Sequence, residues 1–262
     1  MRTTLSLLLL AAAIAQPARL AAAEVFNYAY FGGHEGGLAR LEVDPADGAI
    51  LAQRKLFHWP GNPRLEALVQ SDDGEFLALA NRMTEARSLC VLQRAGDGIA
   101  ARRVDLPQRA EHLVVDGHLL AAIGHKGGVY MVDMRQPDGI LRSVDLVAEA
   151  AIKGGSLGRA KLTPDGRQLA VLVDENDSYG ERAGGRVLLL DWPSLAPAHD
   201  IELPRDHASL HYGYSSNQRN PMPVDIVFLP ELDTVAIALE LSGAVALAGL
   251  DAFTDGRLED YS

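Results

Sequence analysis

Cysteine is almost missing from this chain: Cys90 is the single one in 262 residues, so no intrachain disulfide can form, whatever the redox state of the compartment. Cys90 lies in the apolar run 88–92, where a buried, inert thiol is the reading favoured over a catalytic one. Basic residues are scarce relative to acids, 24 Lys and Arg against 35 Asp and Glu, for a net charge of −11. That balance disfavours nucleic acid and anionic membrane surfaces as partners. No apolar run beyond the amino terminus approaches the roughly 20 residues of a membrane-spanning helix. Helical periodicity is also nearly absent, and residues 147–152 are the one stretch suited to a turn of helix. There is no P-loop and no Rossmann fingerprint. The segment Gly213-Tyr214-Ser215-Ser216-Asn217 lacks the final glycine of a nucleophile elbow, so a serine hydrolase is not supported.

What is present, 48% hydrophobic and 23% charged residues, is the composition of a globular protein. Residues 1–23 read as an export leader: Arg2 begins it, residues 5–15 are almost wholly apolar, and Ala21-Ala22-Ala23 is a small-residue cleavage site. The leader carries Arg2 and Arg19 and no acid, so its removal takes the net charge from −11 to −13. The expectation is a periplasmic or secreted protein in which residues 24–262 form one domain.

That domain is organised by a repeated hairpin, clearest at residues 159–174, RAKLTPDGRQLAVLVD, where Asp165-Gly166 joins two apolar runs. Gly accepts the positive φ of a tight turn without a steric penalty. Related turns stand at residues 71–74, 116–117 and 230–233. Gly74, Gly117 and Gly166 are 43 and 49 positions apart, close to the roughly 40–50 residues of a propeller blade. The fold class is therefore all-β, a β-propeller of four-stranded antiparallel blades with about five blades visible. The expected strands are 25–31, 38–43 and 49–57, then 65–69, 75–80, 88–92 and 99–104, then 111–115, 118–123, 129–133 and 140–146. A fourth set follows at 159–162, 167–173, 186–191 and 199–203, and a fifth at 224–229, 234–239, 245–250 and 257–261. The first blade lacks its innermost strand, so ring closure is incomplete. Either packing alone shuts a five-blade ring or the chain is a shortened form of a larger propeller, and the liability of a bare edge favours the latter. The edge at 25–31 carries no charge to blunt pairing, which makes it a route to a homo-oligomer.

Within a blade, connections alternate between the two faces of the disc. The short Asp-Gly turns share one face, and the long, varied segments share the other, which is the expected binding face for a small-molecule ligand or a protein partner. Candidate ligand-binding residues there are His58, Trp59 and Arg64, and His207, His211, Tyr212 and Arg219. His207 and His211 have the i, i+4 spacing of a zinc pair, but Gly213 and Ser215 oppose a sustained helix, so a solvated loop is the favoured reading. Asp174, Glu175 and Asp177 form an oxygen-rich run suited to a hard cation, without the spacing of an EF-hand loop. His34 and His125, in glycine-flanked loops, are candidate acids or bases, weighed against ordinary surface histidines.

The segments Gly36-Gly37-Leu38, Glu42-Val43-Asp44-Pro45-Ala46-Asp47-Gly48, Asn62-Pro63-Arg64 and Ser71-Asp72-Asp73-Gly74-Glu75-Phe76 resemble the opening blades of lactonase-type seven-bladed propellers. That family includes 6-phosphogluconolactonase and fungal muconate cycloisomerase, and grades into YVTN surface-layer propellers. The resemblance implies site residues at Arg159 and Glu175, while the family's histidine position holds Ala160 or Lys161. Three functions stay open: an exported binding or interaction propeller, a lactonase-like hydrolase using Arg159 with His125 or His34, and a propeller subunit of a periplasmic dehydrogenase. The sequence names no cofactor.

Overall fold

The turns place the strands. In Thr163-Pro164-Asp165-Gly166 the glycine has φ +68°, and the Thr163 hydroxyl donates to Asp165 Oδ1 at 2.7 Å while accepting from the Gln168 amide at 3.0 Å. The Arg167 amide donates to the same carboxylate oxygen at 3.1 Å. The turn at residues 71–74 repeats this cage, with Gly74 at φ +70°, Ser71 Oγ to Asp73 Oδ1 at 2.6 Å, and the Phe76 and Glu75 amides donating to Ser71 Oγ and Asp73 at 3.0 and 2.9 Å. The hydroxyl bonds, chiefly, hold the Asp73 and Asp165 carboxyls below the usual range.

The computed structural model describes residues 23–31, 35–59, 65–81, 87–95, 98–124, 126–136, 138–146, 156–174, 185–203, 223–239 and 244–258. They form five consecutive antiparallel sheets. The first has β1 (Ala23–Phe31), β2 (Glu35–Val43) and β3 (Ile50–Trp59). The second has β4 (Leu65–Gln70), β5 (Phe76–Asn81), β6 (Ser88–Ala95) and β7 (Gly98–Asp105). The third has β8 (Ala110–Asp116), β9 (Leu119–Gly124), β10 (Gly128–Asp133) and β11 (Arg142–Asp145). The fourth has β12 (Ser156–Leu162), β13 (Gln168–Asp174), β14 (Gly185–Asp191) and β15 (Ala196–Glu202). The fifth has β16 (Pro223–Leu229), β17 (Thr234–Leu239) and β18 (Ala244–Gly249). Within each sheet the order follows the chain, and the inner strands β4, β8, β12 and β16 stand side by side.

The sheets stack through both faces of their second and third strands. On β9, Leu120 and Ala122 pack toward the second sheet, while Ala121 and Ile123 pack toward the fourth. On β13, Leu169, Val171 and Val173 face the third sheet, while Ala170 and Leu172 face the fifth. Polar bonds tie the turns of neighbouring blades: Asp72 accepts from the Gly117 amide at 3.1 Å, and Asp116 accepts from the Trp192 indole at 2.7 Å. The first sheet packs on the second through Leu38, which meets Leu77, Leu79, Cys90 and Leu92. Cys90 is buried there, and burial pushes its thiol up to about 12, as an inert core residue requires.

The carboxyl-terminal reading needs correction. Arg257 and Leu258 are not in a strand, and residues 259–261 of the expected strand lie outside the described residues; α1 (Leu250–Thr254) follows β18. Gly256, at φ +81°, does not turn a hairpin but ends this helix: its amide donates to Phe253 O at 2.9 Å and that of Arg257 to Ala252 O at 2.8 Å. The physical reason is Phe253, fully buried in the core shared by the fourth and fifth sheets and edge-on to Phe228 with ring centroids 6.0 Å apart. A helical turn seats that ring where an outer strand would carry it away. Residues 147–152 lie outside the described residues, and β1 stands at the edge of its sheet as the sequence reading expects.

Gly166→Val is expected to cost about 1–3 kcal/mol, because a β-branched residue is strained at positive φ. Leu169→Ala, in the fully buried layer between the third and fourth sheets, is expected to cost about 2–5 kcal/mol. Urea midpoints check both, and an unchanged midpoint in either variant would contradict the corresponding placement.

Candidate functional site

Each of the four inner strands breaks its ladder at the same place, one or two residues in from the long-loop end. On β4 the register slips between Leu65 and Ala67, and on β8 between Ala110 and His112. On β12 it slips between Leu157 and Ala160, and on β16 between Pro223 and Asp225. Each slip is a β-bulge, one extra residue that has no ladder partner and whose side chain is re-aimed. The residues within the slips are Glu66, Glu111, Gly158 with Arg159, and Val224. All of them line one cavity of about 470 Å³ at the head of the inner strands, together with His112 and with Asp174 from the end of β13.

The cavity wall carries mixed charge. Glu111 is paired with Arg109. Asp225 receives Arg159 Nη1 at 3.5 Å and Lys161 Nζ at 3.7 Å, a clamp between the fourth and fifth blades. With the Arg159 side chain 59% exposed, the clamp orients more than it stabilises. His112 bridges the third and fourth blades, its Nε2 lying 3.0 Å from the Ala160 carbonyl oxygen. A carbonyl only accepts, so Nε2 carries the proton, and in the neutral ring Nδ1 is the acceptor. Burial holds the imidazole below the usual histidine range, opposed by the Ala160 bond and by Asp225, and reinforced by Arg159 and Lys161. A neutral imidazole with a fixed tautomer, a guanidinium and several carboxylates can bind a polar ligand in one orientation, or move a proton at Nδ1.

Among the residues expected from sequence, Arg159 and Asp174 are brought together in this cavity. His58 and Trp59 close β3, the outermost strand of the first sheet, and stand on the rim of the disc rather than with the inner strands. Glu175, Asp177, His34, His125, Arg64, His207, His211, Tyr212 and Arg219 lie outside the described residues. Among the described residues no group of three or more His, Cys, Asp or Glu is arranged to hold a metal ion, and no helix is long and apolar enough to cross a membrane. Sequence reading passed over Glu66, Glu111 and His112. The available signal was the repeated opening of the inner strands, Leu65-Glu66-Ala67 and Ala110-Glu111-His112, where a glutamate follows the first, apolar residue of the strand.

No protein-family model and no curated protein matches the chain. Among solved structures it is similar to a chain of the mitotic checkpoint complex, with a TM-score of 0.56 at 13% identity, over 85% of this chain and 60% of that one. It thus spans about three fifths of that relative's length. Kuenenia stuttgartiensis hydrazine synthase is similar with a TM-score of 0.46 at 16% identity, over 87% of this chain and 79% of that one. At such identities the likeness speaks to fold alone, and the fold is the β-propeller.

The depressed His112 fixes the sign of one pH effect. The unfolded chain takes up this proton first as pH falls below the ordinary value of 6.5, so stability contributed by neutral His112 is lost in that direction. His112→Gln is expected to flatten that loss, read as the difference in urea midpoint between about pH 7.5 and about pH 5. An equal acid loss in the variant would assign the effect to other groups.

Proposed function

We propose that this protein is an exported binding propeller that takes a polar ligand, or a polar segment of a protein partner, at the long-loop mouth of its central cavity. The observation that carries this reading is the repeated bulge. Four inner strands from four blades spend their one irregularity at the same height, and all four deliver their extra residue to a single cavity. Bulges that recur at one height serve the surface they shape, because a regular ladder would pair these residues and stabilise the sheet better. Export is part of the proposal and rests on residues 1–23; amino-terminal sequencing of the protein from culture fluid or periplasm, beginning at Glu24, would support it.

A second reading, the lactonase-like hydrolase, is favoured by one arrangement. The lactonase-type stretch asks for a histidine where this chain has Ala160 or Lys161, and the His112 ring from the adjacent blade sits against the Ala160 carbonyl, in the cavity that holds Arg159. In this reading His112 Nδ1 accepts the proton of a water whose oxygen adds to the lactone carbonyl. The ring C–O bond then breaks, the proton passes to the departing alkoxide, and Arg159 orients a carboxylate or phosphate of the substrate.

A panel of sugar lactones separates the two. The binding reading expects no turnover, with native mass spectrometry of the purified protein showing a bound small molecule that the double variant Glu66→Gln, Glu111→Gln loses. Lactone hydrolysis abolished by Arg159→Ala and by His112→Ala, in variants with unchanged circular dichroism, would overturn it in favour of the hydrolase.

A further inference from the structure

The bulge in β8 does something a regular strand cannot. Consecutive residues of a strand point to opposite faces, yet Glu111 and His112 both line the central cavity, because the slip between Ala110 and His112 takes Glu111 out of the ladder and re-aims it. A carboxylate and an imidazole thus share one wall. The preceding blade sets Glu66 of β4 at the equivalent slip, and Asp174 adds a carboxylate from the end of β13. Since His112 Nε2 lies 3.0 Å from the Ala160 carbonyl oxygen and donates to it, the ring meets a ligand through Nδ1, an acceptor when neutral. The described side chains of the wall therefore offer acceptors at Glu66, Glu111, Asp174 and His112 Nδ1, while the guanidinium of Arg159 is turned to Asp225 at 3.5 Å.

We infer that this cavity takes a primary ammonium group, carried by a small amine or by a lysine side chain of a partner, and that His112 makes its capture proton-linked. The inference rests on the binding reading of the cavity and names the chemistry of its ligand. An ammonium has three N–H donors and no acceptor, which matches a wall of acceptors. A hydroxyl also asks for a donor, and a carboxylate would meet Glu66, Glu111 and Asp174 as like charges. The charge around His112 points the same way. Its described neighbours are Glu111 on β8 with Arg109 just before it, Glu66 on β4, Arg159 and Lys161 on β12, Asp174 at the end of β13 and Asp225 on β16, four carboxylates against three cations. With a neutral ring that balance is negative. A proton on Nδ1 cancels it and turns the acceptor into a donor, so both effects expel an ammonium as pH falls. Burial, chiefly, already favours the neutral ring, which sets the cavity for capture near neutral pH.

The test is isothermal titration calorimetry of the purified protein with cadaverine, with its isosteres pentane-1,5-diol and glutarate, and with the blocked peptide acetyl-Gly-Lys-Gly-amide. At about pH 7.5 cadaverine or the peptide is expected to bind at least about 10-fold more tightly than the diol or glutarate, and Glu66→Gln, in a variant of unchanged circular dichroism, to weaken that binding by about 10-fold. Tighter binding of the peptide assigns the ammonium to a protein partner, and tighter binding of cadaverine to a small amine. At about pH 5 the affinity is expected to fall, while in His112→Gln, which keeps a donor for Ala160 and an acceptor in place of Nδ1, the affinities at the two pH values converge. A diol or glutarate that binds as tightly as the amines would overturn the inference and leave the binding reading standing. Binding by none of the four would also overturn it, the binding reading being judged separately by the molecule that native mass spectrometry finds in the purified protein. An acid loss undiminished in His112→Gln would overturn the proton linkage.

Discussion

Everything in this fold depends on burying both sides of a strand. β5, β9 and β13 are apolar at nearly every position because each has a neighbouring sheet on either side, and a strand so made cannot rest against water. That requirement sets the stacking order of the sheets and confines polar residues to turns and strand ends. Among the described residues the buried polar side chains, Ser71, Asn81, Ser88 and Thr163, all sit at such ends. Ser71 and Thr163 are tolerated because they close the turn cages, each meeting a carboxylate and a backbone amide.

The same requirement explains what could be read in advance. An apolar run of five or six residues closed by a tight turn has few other homes, so the hairpin around Gly166 and its relatives disclosed the blades. The carboxyl end misled because Asp255-Gly256 satisfies two geometries: a positive-φ glycine turns a hairpin as readily as it ends a helix, and only the burial of Phe253 decides between them. Arg159 and Asp174 were legible from local chemistry and a family resemblance. Glu66, Glu111 and His112 were not, because a bulge is a relation between two strands. One strand's sequence shows a glutamate among apolar residues and is silent on whether its partner skips a beat.

The two faces of the disc divide the electrostatic labour. On the turn side, aspartates act within and between blades: Asp73 and Asp165 close their own turns, while Asp72 and Asp116 each reach the next blade. At the cavity, blades are joined instead by one clamp, Asp225 with Arg159 and Lys161, and by one imidazole, His112 on Ala160. Turn-side contacts are short and locally enforced. Cavity-side contacts pair a largely buried imidazole with a clamp of longer, part-exposed side chains.

The bulges make substitution at the cavity cheap for the scaffold. In β4, β8 and β16 the ladder slips by a single residue and resumes at once, so the core beyond never registers which side chain occupies the extra position. Glu at 66 and 111, Val at 224 and Arg at 159 are already three different answers at four equivalent sites. A frame of this kind separates what the protein recognises from how it folds, and relatives with other residues at these four points would keep the architecture while changing what they hold.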